Sequence, residues 1–217
     1  MRRFQITPLH LAVAILVGLP ASAGVAYAAS LGIGSNKLFA WSQTLTKGTC
    51  NQTSTTADDT YVQQGSPAST AGGTATTLSI TGGATQNYAF IRFNLSGCSL
   101  PTTAGADSST LTVVVTTSST HTISLFPVYS SWSSSTLTWN GLGGLTIGST
   151  ATTSFTGSAG SHALTVTADV DAAIKAGALW GWELRDTTGG AAATTKIGAV
   201  ENGTAGNRPS MTLSYEK

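Results

Sequence analysis

The chain has 217 residues and a formal net charge of +1, with only 9% charged residues and 41% hydrophobic ones. An average soluble domain is about a quarter charged. The shortage of Glu, Lys and Arg argues against helices, whose exposed faces those residues normally fill. The hydrophobic content excludes charge-driven disorder. The near-neutral balance gives no basic stripe for a nucleic acid. Ser, Thr and 25 glycines dominate instead. Thr suits half-exposed strands, and Gly and Ser suit turns, so the composition points to an all-β chain.

Met1-Arg2-Arg3 opens a short positive region. An apolar run from Leu9 to Leu19 follows, then Pro20 and small residues ending Ala26-Tyr27-Ala28. This is the layout of a secretory signal peptide. The expected cut follows Ala28, with Ala23 as the alternative. The apolar run is too short to span a bilayer, which takes about 20 residues. No membrane association is therefore expected after cleavage, and the product is secreted. Loss of Arg2 and Arg3 leaves eight basic residues against nine acidic ones. Export to an oxidising compartment makes a Cys50–Cys98 disulfide the simplest reading of the two cysteines, two unpaired thiols being the alternative.

Residues 29–56 read as an N-terminal extension, with one strand within Lys37–Trp41 and a polar stretch around Cys50. From 57 to 217 short β-like runs alternate with turn clusters. Thr60–Val62, Thr77–Ile80, Tyr88–Leu95, Leu111–Val115 and Thr122–Val128 read as strands. In the third, Ile91, Phe93 and Leu95 share one face, and Phe90, Arg92 and Asn94 the other. Asp169–Ala176 breaks the pattern. Val170, Ala173 and Ile174 sit at helical spacing, Asp169 is a plausible N-cap and Gly177 a terminator. Strand character returns over Trp180–Arg185 and Ser210–Tyr215. Regularly spaced short strands indicate a sandwich or a barrel.

Nothing in the chain assembles a catalytic constellation. After the leader there are two histidines, His121 and His162, both expected on strand surfaces, and no Gly-x-Ser-x-Gly elbow. Glu183 alternates out of phase with Trp182 and Leu184, so it points away from their face, where it is expected exposed and paired with a neighbour. Asp58-Asp59 and Asp169/Asp171 carry oxygens of the kind that hold calcium. The simpler roles are a turn residue for Asp58 and a cap for Asp169, so no metal or cofactor is assigned. Tryptophans are sugar platforms because a flat ring covers the apolar side of a pyranose. Of the five here, Trp132, Trp139 and Trp182 read as core, and Trp41 and Trp180 as exposed candidates. Arg92 and Arg185 project opposite the core residues, where a guanidinium could grip a sugar carboxylate in bidentate fashion. Arg92 reads equally as a partner of Glu183. Arg185 is expected at a sheet rim with Trp180 nearby, a surface salt bridge to Glu183 or Asp186 being its alternative.

Six stretches, in order, resemble one family. Ala57–Val62 resembles its opening strand and Phe90–Leu95 its Arg-Phe strand. Trp132–Asn140 (WSSSTLTWN) resembles its tryptophan segment and Val166–Val170 the start of its helix. Trp182–Arg185 and Arg208–Tyr215 resemble its last two strands. The family is that of DNRLRE domains, close to or the same as the family 96 carbohydrate-binding modules, and the resemblance covers about residues 57–216. It implies a secreted, non-catalytic, jelly-roll-like antiparallel β-sandwich with one short helix. Such modules usually accompany polysaccharide lyases or large surface proteins, and some bind acidic polysaccharides such as alginate. This chain carries Ser134 where the family often has an acidic residue, lacks the usual proline after Trp139-Asn140, and has no enzyme beside it. A polysaccharide is the expected partner. The alternative is a structural or adhesive cell-surface protein that self-associates and has no sugar ligand.

Overall fold

The computed structural model describes residues 47–53, 56–69, 72–100 and 104–216 in full, and the backbone of two further strands, β1 (Tyr27–Ala29) and β2 (Phe39–Trp41). The chain divides into two compact units, Met1–Thr44 and Leu45–Lys217. In the first, β1 and β2 pair antiparallel with Tyr27 opposite Trp41. The strand expected within Lys37–Trp41 covers its last three residues. The rest of the expected leader lies outside the described residues.

The second unit is an antiparallel β-sandwich with one short helix. Its strands are β3 (Lys47–Gln52), β4 (Ala57–Gln63), β5 (Thr77–Thr81), β6 (Asn87–Phe93), β7 (Gly105–Thr117), β8 (Thr122–Pro127), β9 (Thr153–Thr156), β10 (Gly160–Thr165), β11 (Trp182–Asp186), β12 (Thr194–Gly198) and β13 (Ser210–Glu216). Neighbours run in the order β3-β13-β7-β12-β5-β6-β11-β8-β9, with β10 on β7 and β4 on β6. The long strand β7 binds β13 near its start and β12 near its end, while β10 takes its other edge. Leu111, Val113 and Val115 alternate inward along it, as the period of two requires. They meet Ala89, Ile91 and Phe93 of β6, Ile123 and Leu125 of β8, and Trp182 and Leu184 of β11 in the main core.

β3 lies in the segment read as an extension, yet it is hydrogen-bonded along β13, with Cys50 opposite Leu213. Cys50 and Cys98 are joined by a disulfide, with their Cα atoms 5.4 Å apart. The bond ties the β3 edge to the 3-10 turn Leu95–Cys98 that follows β6. Leu95 therefore sits in that turn and not on the strand. The buried Gln52 places its Nε2 2.8 Å from both sulfurs.

The one α-helix among the described residues, α1 (Thr167–Ala176), starts two residues before the expected Asp169. Asp169 is not its N-cap. The cap position is Val166, and Asp169 stands in the first turn, where its charge complements the helix dipole. Its Oδ2 accepts from Thr152 Oγ1 at 2.5 Å and from Trp182 Nε1 at 2.7 Å, pinning the helix to the core tryptophan. Gly177 ends the helix at φ 77°, its N–H bonded back to Ala173 and Ile174 carbonyls.

Candidate functional site

β6 buries residues on both of its faces, so its outer face must be covered too. The cover is the stretch from Val128 to Ile147, a loop interrupted by the 3-10 turn Trp139–Gly144. Val62, Phe90, Val128, Trp132 and Leu137 form a second hydrophobic cluster there, flanked by Tyr88, Trp139 and Trp180. Trp132 meets Phe90 edge-on at 5.7 Å and donates its indole N–H to the Trp180 carbonyl at 2.7 Å. Of the three tryptophans expected as core, Trp182 lies in the main core and Trp132 in this outer cluster. Trp139 is half-buried, packed 4.9 Å from the Tyr88 ring.

Beside this cluster Arg92 and Asp58 face each other across the β4–β6 ladder. Arg92 Nη2 and Nε donate to the same Asp58 oxygen at 2.7 and 3.1 Å. Arg92 is therefore the partner of Asp58, not of Glu183, and Asp58 sits on a strand, not in a turn. The guanidinium also lies over Trp132 at 5.0 Å and Trp180 at 5.9 Å. Trp180 reaches this place because β11 begins only at Trp182. Gly181 has φ +78°, and a Cβ there would stand 2.0 Å from the Ile91 carbonyl oxygen. The left-handed residue breaks the alternation, so Trp182 enters the main core while Trp180 turns to the outer cluster.

Asp58, Arg92 and Trp180 line one end of a cleft of about 840 Å³, within the range typical of ligand sites. The 3-10 turn and the C-terminal end of α1 supply its other walls. Two of the four residues singled out in the sequence, Arg92 and Trp180, are thus brought together. Arg185 is placed apart from Trp180. Its Nη2 lies 2.6 Å from Glu183 Oε2, and its guanidinium sits over Tyr88 at 5.2 Å and Phe126 at 4.5 Å. The side chain of Trp41 lies outside the described residues.

Glu183 does point away from Trp182 and pair with a neighbour, but it is not exposed. Its side chain is 1% accessible, because the outer face it reaches is itself covered. Burial pushes its carboxyl above the usual range despite the guanidinium beside it. Asp59, next to Asp58 but facing the opposite side of β4, is pushed up to about 8 by burial. Its Oδ2 accepts from the Val200 N–H at 2.7 Å, and its Oδ1 is buried without a partner.

The two histidines singled out in the sequence have protein partners. His121 Nδ1 lies 2.6 Å from Asp186, largely buried just before β8 and not on a strand surface. His162, on β10, has Nε2 2.8 Å from the Ser158 carbonyl and packs against Phe155. Of the oxygens weighed for calcium, those of Asp171 accept from the Ala106 N–H at 3.1 Å and from Lys175 at 2.5 Å. Two cleft residues escaped the sequence reading. Asp58 was missed as a site residue because its pairing with Arg92 spans 34 residues. Asn94 was seen only as facing the same way as Arg92.

No curated protein matches the chain. A family model does, over residues 51–215, which run from β3 into β13 and include both arginine clusters and the cleft. With that match over most of its length, the chain belongs to carbohydrate-binding module family 96.

Proposed function

We propose that this protein is a secreted, non-catalytic module that holds a polysaccharide in the Arg92–Asp58–Trp180 cleft. The observation that carries the reading is the meeting of an ion pair and an indole ring at the mouth of one cleft. The ring supplies a flat apolar face for a pyranose, and the pair supplies both donors and an acceptor for hydroxyls. Arg185, beside Tyr88 and Phe126, is a second contact on the same outer face. An acidic sugar would have to displace Asp58 from Arg92 or Glu183 from Arg185, so a neutral, hydroxyl-rich polymer suits the two pairs better than a uronate. Secretion is supported by the leader pattern of residues 1–28 and by the disulfide.

Isothermal titration against a neutral glucan, a xylan, a mannan, pectate and alginate tests this reading. Saturable binding to at least one polymer is expected. Trp180→Ala and Arg92→Ala should each weaken it about tenfold, the size of one stacking or charge-assisted contact. Unchanged affinity in both variants would remove the cleft from the binding surface.

A further inference from the structure

The cleft lining also holds aliphatic side chains. Leu95, Leu100, Ile174 and Leu179 are among them, each half-buried against the main core. A bare sugar does not use such a surface. Its rim is all hydroxyl, and its apolar faces are flat and call for rings, whereas leucine and isoleucine make a rounded aliphatic socket. What fits a socket of this kind is a small alkyl group carried by the sugar. Desolvating that group is the gain that hydroxyls cannot offer.

Asn94, exposed, two residues after Arg92 and next to Leu95 in the chain, is also in the lining. Its Oδ1 accepts from the Ser96 N–H at 2.9 Å, fixing the amide. Its NH2 is then the group this side chain can offer a ligand, and it is a donor. An alkyl socket beside an oriented donor is complementary to a methyl group next to a carbonyl oxygen. Resting on the polysaccharide reading of this cleft, we infer that the module recognises an acylated sugar, with an acetyl ester or acetamide methyl seated among Leu95, Leu100, Ile174 and Leu179 and its carbonyl accepting from Asn94.

The test compares polymers with and without the acyl group on one backbone. Acetylated xylan, acetylated glucomannan and chitin oligosaccharides are each titrated beside their deacetylated forms. At least one acetylated polymer should bind about tenfold tighter than its deacetylated form, as one buried methyl plus one hydrogen bond provides. Asn94→Asp keeps the oxygen that accepts from Ser96 but removes the donor. It should erase the preference, so that the acetylated and deacetylated forms of each polymer bind the variant alike. Equal affinity within every pair would overturn the inference and leave the polysaccharide reading standing. Failure to bind any polymer in either form would overturn both. A preference that survives Asn94→Asp would also overturn the inference as stated.

Discussion

The outer face of the β4–β6–β11–β8 layer carries two arginine–carboxylate pairs that look alike in composition and differ in burial. Arg92 and Asp58 are 27% and 31% accessible, and both reach the cleft. Arg185 is equally open at 31%, but its partner Glu183 is 1% accessible. The same charges therefore do different work. A half-exposed pair keeps much of its hydration and contributes about 0–1 kcal/mol to stability. A buried carboxylate depends on its guanidinium, because losing it leaves a charge with neither water nor counter-ion.

The sharpest contrast comes from a third carboxyl, Asp59, which is buried like Glu183 but whose burial has pushed it to about 8. Its folded value exceeds its unfolded one, so the folded state holds a proton that the unfolded state has released. The contribution of this group to stability is fully present below about pH 4 and is lost as pH rises toward 8. Asp59→Asn cannot ionise, and it should be more stable than wild type at pH 8 by on the order of 5 kcal/mol, converging with it near pH 4. Urea unfolding at the two pH values measures this, and equal slopes with pH in both proteins would contradict it.

Next in size is Arg185→Ala. It strands Glu183 and should cost about 3 kcal/mol near neutral pH. Glu183 already has a raised folded pKa, so protonation relieves the defect. The loss should shrink at pH 4 to 5 and grow above it, and a Glu183→Gln background should remove most of it. A variant as stable as wild type at pH 8 would make the two pairs equivalent. The smallest change belongs to Arg92→Ala, expected to shift stability by about 0–1 kcal/mol while weakening polysaccharide binding. A loss in melting temperature as large as that of Arg185→Ala would erase the distinction between an open pair and a structural one.

The strands with alternating apolar residues were legible in the sequence. Val113 and Val115 in β7, and Ile123 and Leu125 in β8, announce their inward face by spacing alone. β9, β10 and β12 were not, because Thr, Ser and Gly fill most of their positions and leave one or two apolar side chains to show a period. Alternation placed Glu183 on the correct face but could not show that this face is roofed. The roof is the stretch around Trp132 and Trp139, a loop leading into the 3-10 turn Trp139–Gly144, and it carries no strand or α-helix period. Trp180 and Trp182 are two apart and would share a face in a regular strand. Only the left-handed Gly181 separates them, and a glycine beside two tryptophans does not reveal its dihedral angles. Of the candidate site, the arginine and the indole were visible as separate residues. Their meeting, and the presence of Asp58 and Asn94 beside them, depend on which strands pair.

The Cys50–Cys98 bond also sets how the module responds to force. When the two ends of the chain are pulled apart, the load reaches the sandwich along the chain. The disulfide closes a loop with a sequence separation of 48, so under tension the load bypasses everything between β3 and the turn after β6. That stretch holds β4, β5 and β6, and with them Asp58 and Arg92. When the sandwich gives way, the chain should extend about 170 Å less than its full length allows, since each residue spans at most about 3.6 Å. Reduction should restore the missing extension in a single-molecule pulling trace. The polar wall of the cleft would thus be carried on the part of the chain that tension between the ends does not stretch.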